Sequence, residues 1–235
     1  MIRTIRMYNV FFPRKFWMLF TYILYPVIMI VLCAWLSKMT LLTGMMMNLM
    51  LSASGIVTVE YLLDTYMFHG VGAKDYKALE YVKSSGRGVH LLQQALLFDG
   101  IRRLFTTSVI MASLYWITKM ACEKDAGETI LEINGQVVSH PSAWIYVQSG
   151  VIVILSVEVG MLITRRSKNI LVNLLILYLM SAIACILAMA IMEFASAVSV
   201  GVTGILLAII MVISRKVLVK KVRESFYDEG YKKLL

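Results

Sequence analysis

Six runs of roughly 20 apolar residues constrain this chain more than any other feature of its sequence. A bilayer core about 30 Å thick is crossed by about 20 helical residues, so each run has the length of one transmembrane helix. The predicted spans are residues 16–37, 41–63, 104–121, 143–164, 170–192 and 196–213. Because 60% of the residues are hydrophobic and the mean hydropathy is +0.78, a soluble fold is excluded. The sequence predicts an all-α polytopic membrane protein, folded as a single transmembrane domain.

The positions of the positive charges predict how the spans are oriented. The net charge is +9, with 23 Lys and Arg residues against 14 Asp and Glu. If both termini are cytoplasmic, every Lys and Arg faces the cytoplasm except Lys38, Lys119 and Lys124. This asymmetry follows the positive-inside rule, so the basic character indicates topology and calls for no nucleic-acid partner.

The segments outside the spans have recognisable patterns. Residues 1–15 mix apolar and basic side chains, which predicts a short interfacial helix on the inner leaflet. Residues 122–142 form the external loop, where Asn134-Gly135 between two β-favouring runs predicts a small β-hairpin. Residues 214–235 form a cytoplasmic tail. Pro26 predicts a kink in the first span, because it removes a helix hydrogen bond.

The long cytoplasmic loop, residues 64–103, has the pattern of two helices separated by a break. Apolar residues recur at three-residue spacing over 73–83, which predicts a short amphipathic helix. Ser84 to Gly88 then favour a turn. A second amphipathic helix is predicted from Val89, with Arg102 and Arg103 fixing its far end at the membrane surface. The loop is expected to offer a cytoplasmic platform for a partner.

Four acidic residues within the spans or at their ends are candidates for an intramembrane polar path: Glu60, Asp64, Glu158 and Glu193. A charge at the bilayer centre costs about 2.5 to 3.5 kcal/mol on insertion scales, so such residues point to function. All four lie toward helix ends, however. Pairing of Glu158 with an inner Lys or Arg, or simple exposure at the interface, is therefore the competing interpretation.

Catalytic and cofactor motifs are missing from the sequence. His69, His90 and His140 have no metal-ligand spacing, so no metal site is predicted. Neither a GxSxG motif nor a GxxxxGK[ST] phosphate loop occurs. The chain is predicted to be no enzyme and to bind no cofactor of its own.

The segments "KALEYVKSSGRG" and "LLFDGIRR" of the cytoplasmic loop, together with the order of spans and loops, resemble ABC-2-type permeases, the membrane subunits of ABC exporters. Among these, the chain is similar to the small permeases of Gram-positive peptide exporters, such as the phenol-soluble-modulin exporter. The resemblance implies six spans, an inner interfacial helix, a coupling helix between the second and third spans, and a Gram-positive plasma membrane. Larger members carry re-entrant helices between the fifth and sixth spans, for which this chain leaves room only if the fifth span itself breaks early.

The resemblance also implies partners. A separate ABC ATPase would carry ATP and Mg²⁺, and a second permease chain, identical or paralogous, would complete the transporter. A peptide-like substrate would move along the permease interface, lined by the first, second and fifth spans. The implied coupling surface, which would contact the ATPase, consists of Tyr76, Leu79, Glu80, Lys83, Ser84 and Arg87.

Other function classes stay open at this point. The main alternative is a membrane protein of the immunity or sensor kind, which binds a peptide or partner without transport. A substrate-binding subunit for vitamin uptake has six spans but would not need a forty-residue inner loop. An intramembrane enzyme would need polar catalytic residues at depth, and none is found in the sequence.

Overall fold

The structure is a computed structural model, and it describes residues 15–36, 41–72, 88–125, 131–133, 136–138, 142–164, 170–190 and 195–232. These residues are almost entirely helical. In chain order the elements are α1 (Lys15–Leu19), a π-helical turn (Phe20–Leu24), α2 (Tyr25–Leu36), α3 (Leu41–Gly72), α4 (Gly88–Asp125), β1 (Leu131–Ile133), β2 (Gln136–Val138), α5 (Ala143–Thr164), α6 (Ile170–Ala190) and α7 (Ala197–Lys232).

Five helical segments of the described chain are long and apolar enough to cross a membrane. They are Phe16–Leu36, Met46–Asp64, Ala143–Thr164, Leu171–Ala188 and Ala197–Lys220. This finding confirms the prediction of a multi-pass helical chain. The predicted third span, residues 104–121, lies on α4, which is not among the five. Serine and threonine residues and Lys119 make that segment less apolar than the others.

Pro26 lies next to an irregular turn in the first span. Proline has no amide hydrogen, and its ring clashes with the carbonyl four residues earlier, here that of Tyr22. The chain widens into the π-helical turn Phe20–Leu24, which ends with the amide of Tyr25 donating to the carbonyl of Phe20. The first span is therefore interrupted at the position where the sequence predicts a kink.

α5 is the centre of the helix packing. It packs against α3, α4, α6 and α7, while α3 also packs along α6. The main core combines small and large apolar side chains from these helices, and Ala184 and Ala188 on α6 are fully buried in it. Close approach of α2 to α3 depends on Gly55, because a β-carbon there would lie 2.8 Å from Cε of Met29.

Many large apolar side chains of the first, fourth and fifth of these membrane-length segments lie outside this packing. Examples are Trp35, which is 65% exposed, Leu175, which is 70% exposed, and Val202, which is 64% exposed. Apolar surface on this scale is unfavourable in water. It indicates that lipid or another membrane-embedded chain covers these faces.

The helices extend into the predicted cytoplasmic loop, residues 64–103, from both sides. α3 continues to Gly72, and α4 begins at Gly88 and runs on as one helix of 38 residues. The predicted separate helix ending at Arg102 and Arg103 is thus contradicted. Gly100 is the only helix-weakening residue in that stretch, and the side chains of Met211 and Arg215 on α7 pack over it.

The apolar side of the first turns of α4 is covered by the chain itself. Leu92, Ala95 and Leu96 are buried against Leu218 and Val219 of α7, with Trp17 and Met18 of α1 packed alongside. The predicted amphipathic pattern from Val89 onward is therefore satisfied within the protein. The predicted tail is likewise helical, since residues 214–232 continue α7.

Two short antiparallel strands lie between α4 and α5. β1 and β2 pair with Leu131 opposite Val138 and Ile133 opposite Gln136. They flank Asn134 and Gly135, the predicted turn residues, which lie outside the described residues.

Candidate functional site

Six ionisable side chains from three helices meet in a buried group that we call the charge network. Its members are Glu60 and Asp64 on α3, Asp99, Arg102 and Arg103 on α4, and Glu158 on α5. Each residue is at most 6% exposed. The helical spacing explains the grouping: Glu60 and Asp64 are four residues apart, as are Asp99 and Arg103, so each pair lies on one helix face.

Arg102 joins α4 to α3. Its Nη1 and Nη2 atoms donate to Oε1 and Oε2 of Glu60 at 2.9 and 2.5 Å, which is a bidentate pair. Its Nε and Nη2 atoms also donate to Oδ1 of Asp99, at 3.2 and 3.0 Å. The planar guanidinium suits this arrangement, because its donors form a fixed fork.

Arg103 contacts all four carboxylates. Nη1 donates to Oε1 of Glu158 at 2.7 Å, and Nη2 donates to Oδ1 of Asp64 at 3.1 Å and to Oδ2 of Asp99. Its Nε lies 3.4 Å from Oε2 of Glu60. Arg103 is therefore the one side chain of the network that links α3, α4 and α5 directly.

The electrostatics of the network favour charged arginines. Burial alone would lower the pKa of Arg103, but the surrounding carboxylates, Asp99 first and then Glu158, raise it above its ordinary value. Arg102 contacts two of the four carboxyl groups and Arg103 contacts all four, so the loss of either arginine takes a cationic partner from more than one acid. Removing an arginine is consequently more costly than removing one acid.

A buried hydrogen bond next to the charge network also involves α6. The hydroxyl of Tyr61, next to Glu60, donates to the backbone carbonyl of Asn173 at 3.1 Å, and this bond is buried. α6 thereby joins the same end of the helix bundle through a neutral contact.

The opposite end of α5 has only neutral polar contacts among those that the structure describes. Nε2 of Gln148 donates to Oγ1 of Thr203 at 3.3 Å, and the hydroxyl of Ser199 donates to Oε1 of Gln148 at 3.3 Å. These bonds connect α5 to α7. The bundle is therefore held by charges at one end and by weaker hydrogen bonds at the other.

Comparison of the chain with protein-family models, with curated proteins and with solved structures finds no match. The candidate site accordingly stands on geometry and chemistry. In the described part of the chain, no group of His, Cys, Asp and Glu side chains is arranged to hold a metal ion.

The structure brings together three of the four acids predicted for an intramembrane path. Glu60, Asp64 and Glu158 share Arg103, whereas Glu193 lies outside the described residues. Pairing of Glu158 with a basic residue, one of the two interpretations left open above, is what the structure shows. The expected coupling surface, Tyr76, Leu79, Glu80, Lys83, Ser84 and Arg87, also lies outside the described residues.

Sequence reasoning missed three members of the network. Arg102 and Arg103 were predicted to mark the end of a helix at the membrane surface, and their burial, at 4% and 2% exposed, among carboxylates was not predicted. Asp99 has no role in the prediction from sequence. The signal was present in the spacing, since Asp99 lies three and four residues before the two arginines and can pair with both on one helix face.

Proposed function

We propose that this chain is the permease subunit of an ATP-driven ABC exporter of the ABC-2 type, which moves amphipathic or hydrophobic peptides out of the cell. A separate ATPase subunit binds ATP and Mg²⁺ and hydrolyses the ATP, and a second permease chain completes the transporter. The observation that carries the proposal is the charge network. It ties together the two helices that border residues 73–87, namely α3 and α4, and connects both to the central helix α5.

This arrangement suits the transmission of force. A partner that pushes on residues 73–87 acts on the ends of two long helices at once. Because Arg102 and Arg103 lock those helices together, the push tilts them as a pair instead of separating them. α5 follows through Glu158, so the inner ends of three helices move as one unit.

The proposed topology has six spans, with residues 104–121 of α4 as the third. Two of the polar side chains of that segment are compatible with this placement. The hydroxyls of Ser113 and Thr118 donate to the helix carbonyls of Val109 and Leu114, at 2.8 and 2.9 Å. Satisfied hydroxyls of this kind are tolerated in membrane helices. Both termini and residues 73–87 would lie in the cytoplasm, and the β1–β2 strands outside the plasma membrane.

Labelling of single cysteines in intact cells tests this topology. In a background in which the three native cysteines are replaced by alanine, Gly135→Cys should react with an impermeant maleimide, and Lys216→Cys should react only after lysis. Reaction of Lys216→Cys in intact cells would contradict the orientation.

Reconstitution with an ATPase encoded in an adjacent reading frame tests the function. We expect a stable complex in which a peptide substrate stimulates ATP turnover. The double variant Glu80→Ala/Arg87→Ala should weaken complex formation, while Lys124→Ala/Glu128→Ala, which removes the same charges from the predicted external loop, should not.

Two outcomes would overturn parts of this proposal. If no nucleotide hydrolase binds and deletion of the gene leaves peptide export unchanged, the exporter assignment is wrong and the immunity or sensor alternative takes its place. If export and binding require the chain but Glu80→Ala/Arg87→Ala changes neither, only the coupling surface is wrong.

A further inference from the structure

A groove of about 600 Å³ lies between the first turns of α4 and the last part of α7. It is lined by Gln93, Leu96, Leu97, Arg215, Lys216, Val219 and Lys220. Lys216 and Lys220 are four residues apart on one face of α7, and both are exposed. Three of the lining residues are basic, and none of those that the structure describes is acidic, so the lining favours an anionic ligand.

The position of the groove matches the level of lipid headgroups. Lys216 and Lys220 close the apolar segment Ala197–Lys220, which is long enough to cross a membrane. Basic side chains at the end of such a segment lie where the apolar core gives way to the headgroup layer. An anion bound in the groove would consequently lie at the membrane surface.

The other half of the lining is apolar and continues into the membrane. Leu97 is 47% exposed, and Ile101 and Phe105, at four-residue intervals on the same face of α4, are 50% and 71% exposed. On α7, Val212 and Ile213 are 49% and 43% exposed. Free phosphate has no apolar part that would contact these residues. A phospholipid would place its phosphate beside the lysines and its acyl chains along the exposed apolar residues.

We propose that this groove is a binding site for one anionic phospholipid of the inner leaflet, with Lys216 and Lys220 holding the phosphate and Leu97 contacting the acyl chains. Gly100 shapes the adjoining wall, since a β-carbon there would lie 2.6 Å from Nη2 of Arg215. The inference is independent of the transport function proposed above. A site shared by α4 and α7 makes the packing of these helices sensitive to membrane composition.

Native mass spectrometry of the full-length chain tests the site, with phosphatidylglycerol or phosphatidylcholine added to the delipidated protein in detergent. We expect one phosphatidylglycerol to bind in preference to phosphatidylcholine. In Lys216→Gln/Lys220→Gln its affinity should fall about 25-fold at low ionic strength, or about fivefold per lysine. The control Arg165→Gln/Arg166→Gln removes two predicted inner charges elsewhere and should keep the affinity.

A second variant distinguishes a loss of lipid binding from local misfolding of the groove. Leu97→Glu leaves all cations in place and adds a carboxylate at an exposed position, so it should abolish the preference for phosphatidylglycerol. Equal binding of the two lipids to the wild-type chain, or an unchanged affinity in both groove variants, would overturn the proposal. Full competition by millimolar glycerol 3-phosphate would also overturn it, because it would assign the site to a free phosphate.

Discussion

Nη1 of Arg103 lies 2.7 Å from Oε1 of Glu158, and both side chains are buried where α4 crosses α5. A single buried ion pair stabilises a protein little more than apolar packing would, because both charges lose their hydration. This pair is not alone, since Arg103 also meets Glu60, Asp64 and Asp99. The effect of a substitution at Arg103 or Glu158 therefore depends on all the members of the charge network.

Replacing Arg103 by methionine should destabilise the protein severely. Methionine reproduces only the inner, apolar part of the arginine side chain, so the change removes the guanidinium group that contacts all four acids of the network. Breaking a buried ion pair typically costs about 3 to 5 kcal/mol. We expect a loss of that size in the free energy of unfolding, measured by SDS titration in mixed micelles. Lys119→Met, where the amine lies 5.4 Å from the Trp116 ring, should cost about 1 kcal/mol or less. Equal effects of the two changes would contradict the network.

Replacing Asp64 by asparagine should be nearly neutral, within about 1 kcal/mol. The amide oxygen can still accept the hydrogen bond that Arg103 now donates at 3.1 Å, and Arg103 keeps its three other carboxylate partners. The same SDS titration measures it. A loss as large as that of Arg103→Met would show that the network needs all four ionised acids.

The spans of this protein could be predicted from its sequence because each depends on local composition. The helical segments containing residues 143–164, 170–190 and 197–213 were all placed correctly, since the apolar runs fix them. The ends of α3 and α4 were not. The helix predicted from Val89 does not stop at Arg103 but continues into the third span as one helix, and the contacts of Leu92 and Leu96 with α7 stabilise its first turns.

The charge network could be predicted only in part. Glu60, Asp64 and Glu158 stand out because acids are rare in apolar helices. The convergence of these acids on Arg103 depends on how α3, α4 and α5 cross, which no local pattern encodes. The positions of Arg102 and Arg103 in the sequence predict only that they border a span; their burial depends on the carboxylates of three helices, which compensate for the lost hydration.

Gly55 should tolerate no large side chain. A β-carbon there would lie 2.8 Å from Cε of Met29, a flexible end that can shift for alanine but not for isoleucine. We expect Gly55→Ile to cost about 1 to 3 kcal/mol in the same titration, with Met29→Ala restoring part of the loss. Gly201→Ile, with nothing within 4 Å of the added β-carbon, should be neutral or stabilising. A cost at Gly201 as large as at Gly55 would contradict this packing.

Replacing Gln148 by leucine should change stability by about 1 kcal/mol or less, although the residue is only 3% exposed. Thr203 and Ser199 also donate to backbone carbonyls, at 2.8 and 2.9 Å, so the change leaves neither hydroxyl without a partner. Thermal unfolding in detergent measures the effect. A loss of stability as large as that of Arg103→Met would mean that the neutral hydrogen bonds at this end of the bundle contribute as much stability as the charge network.

Exchanging the charges of Arg103 and Glu158 separates a network from a simple pair. In Arg103→Glu/Glu158→Arg the direct contact is restored with opposite polarity, so a simple pair would recover stability and ATP-driven export. In the network, the new glutamate at 103 meets the carboxylates of Asp64 and Asp99, which Arg103 now neutralises. Like charges at these distances repel strongly when buried. We therefore expect the double variant to be no more stable than Arg103→Glu alone, measured by SDS titration and by the yield of monodisperse protein. Recovery to within about 1 kcal/mol of the wild type would show that Glu158 is the dominant partner and that the links to α3 are dispensable.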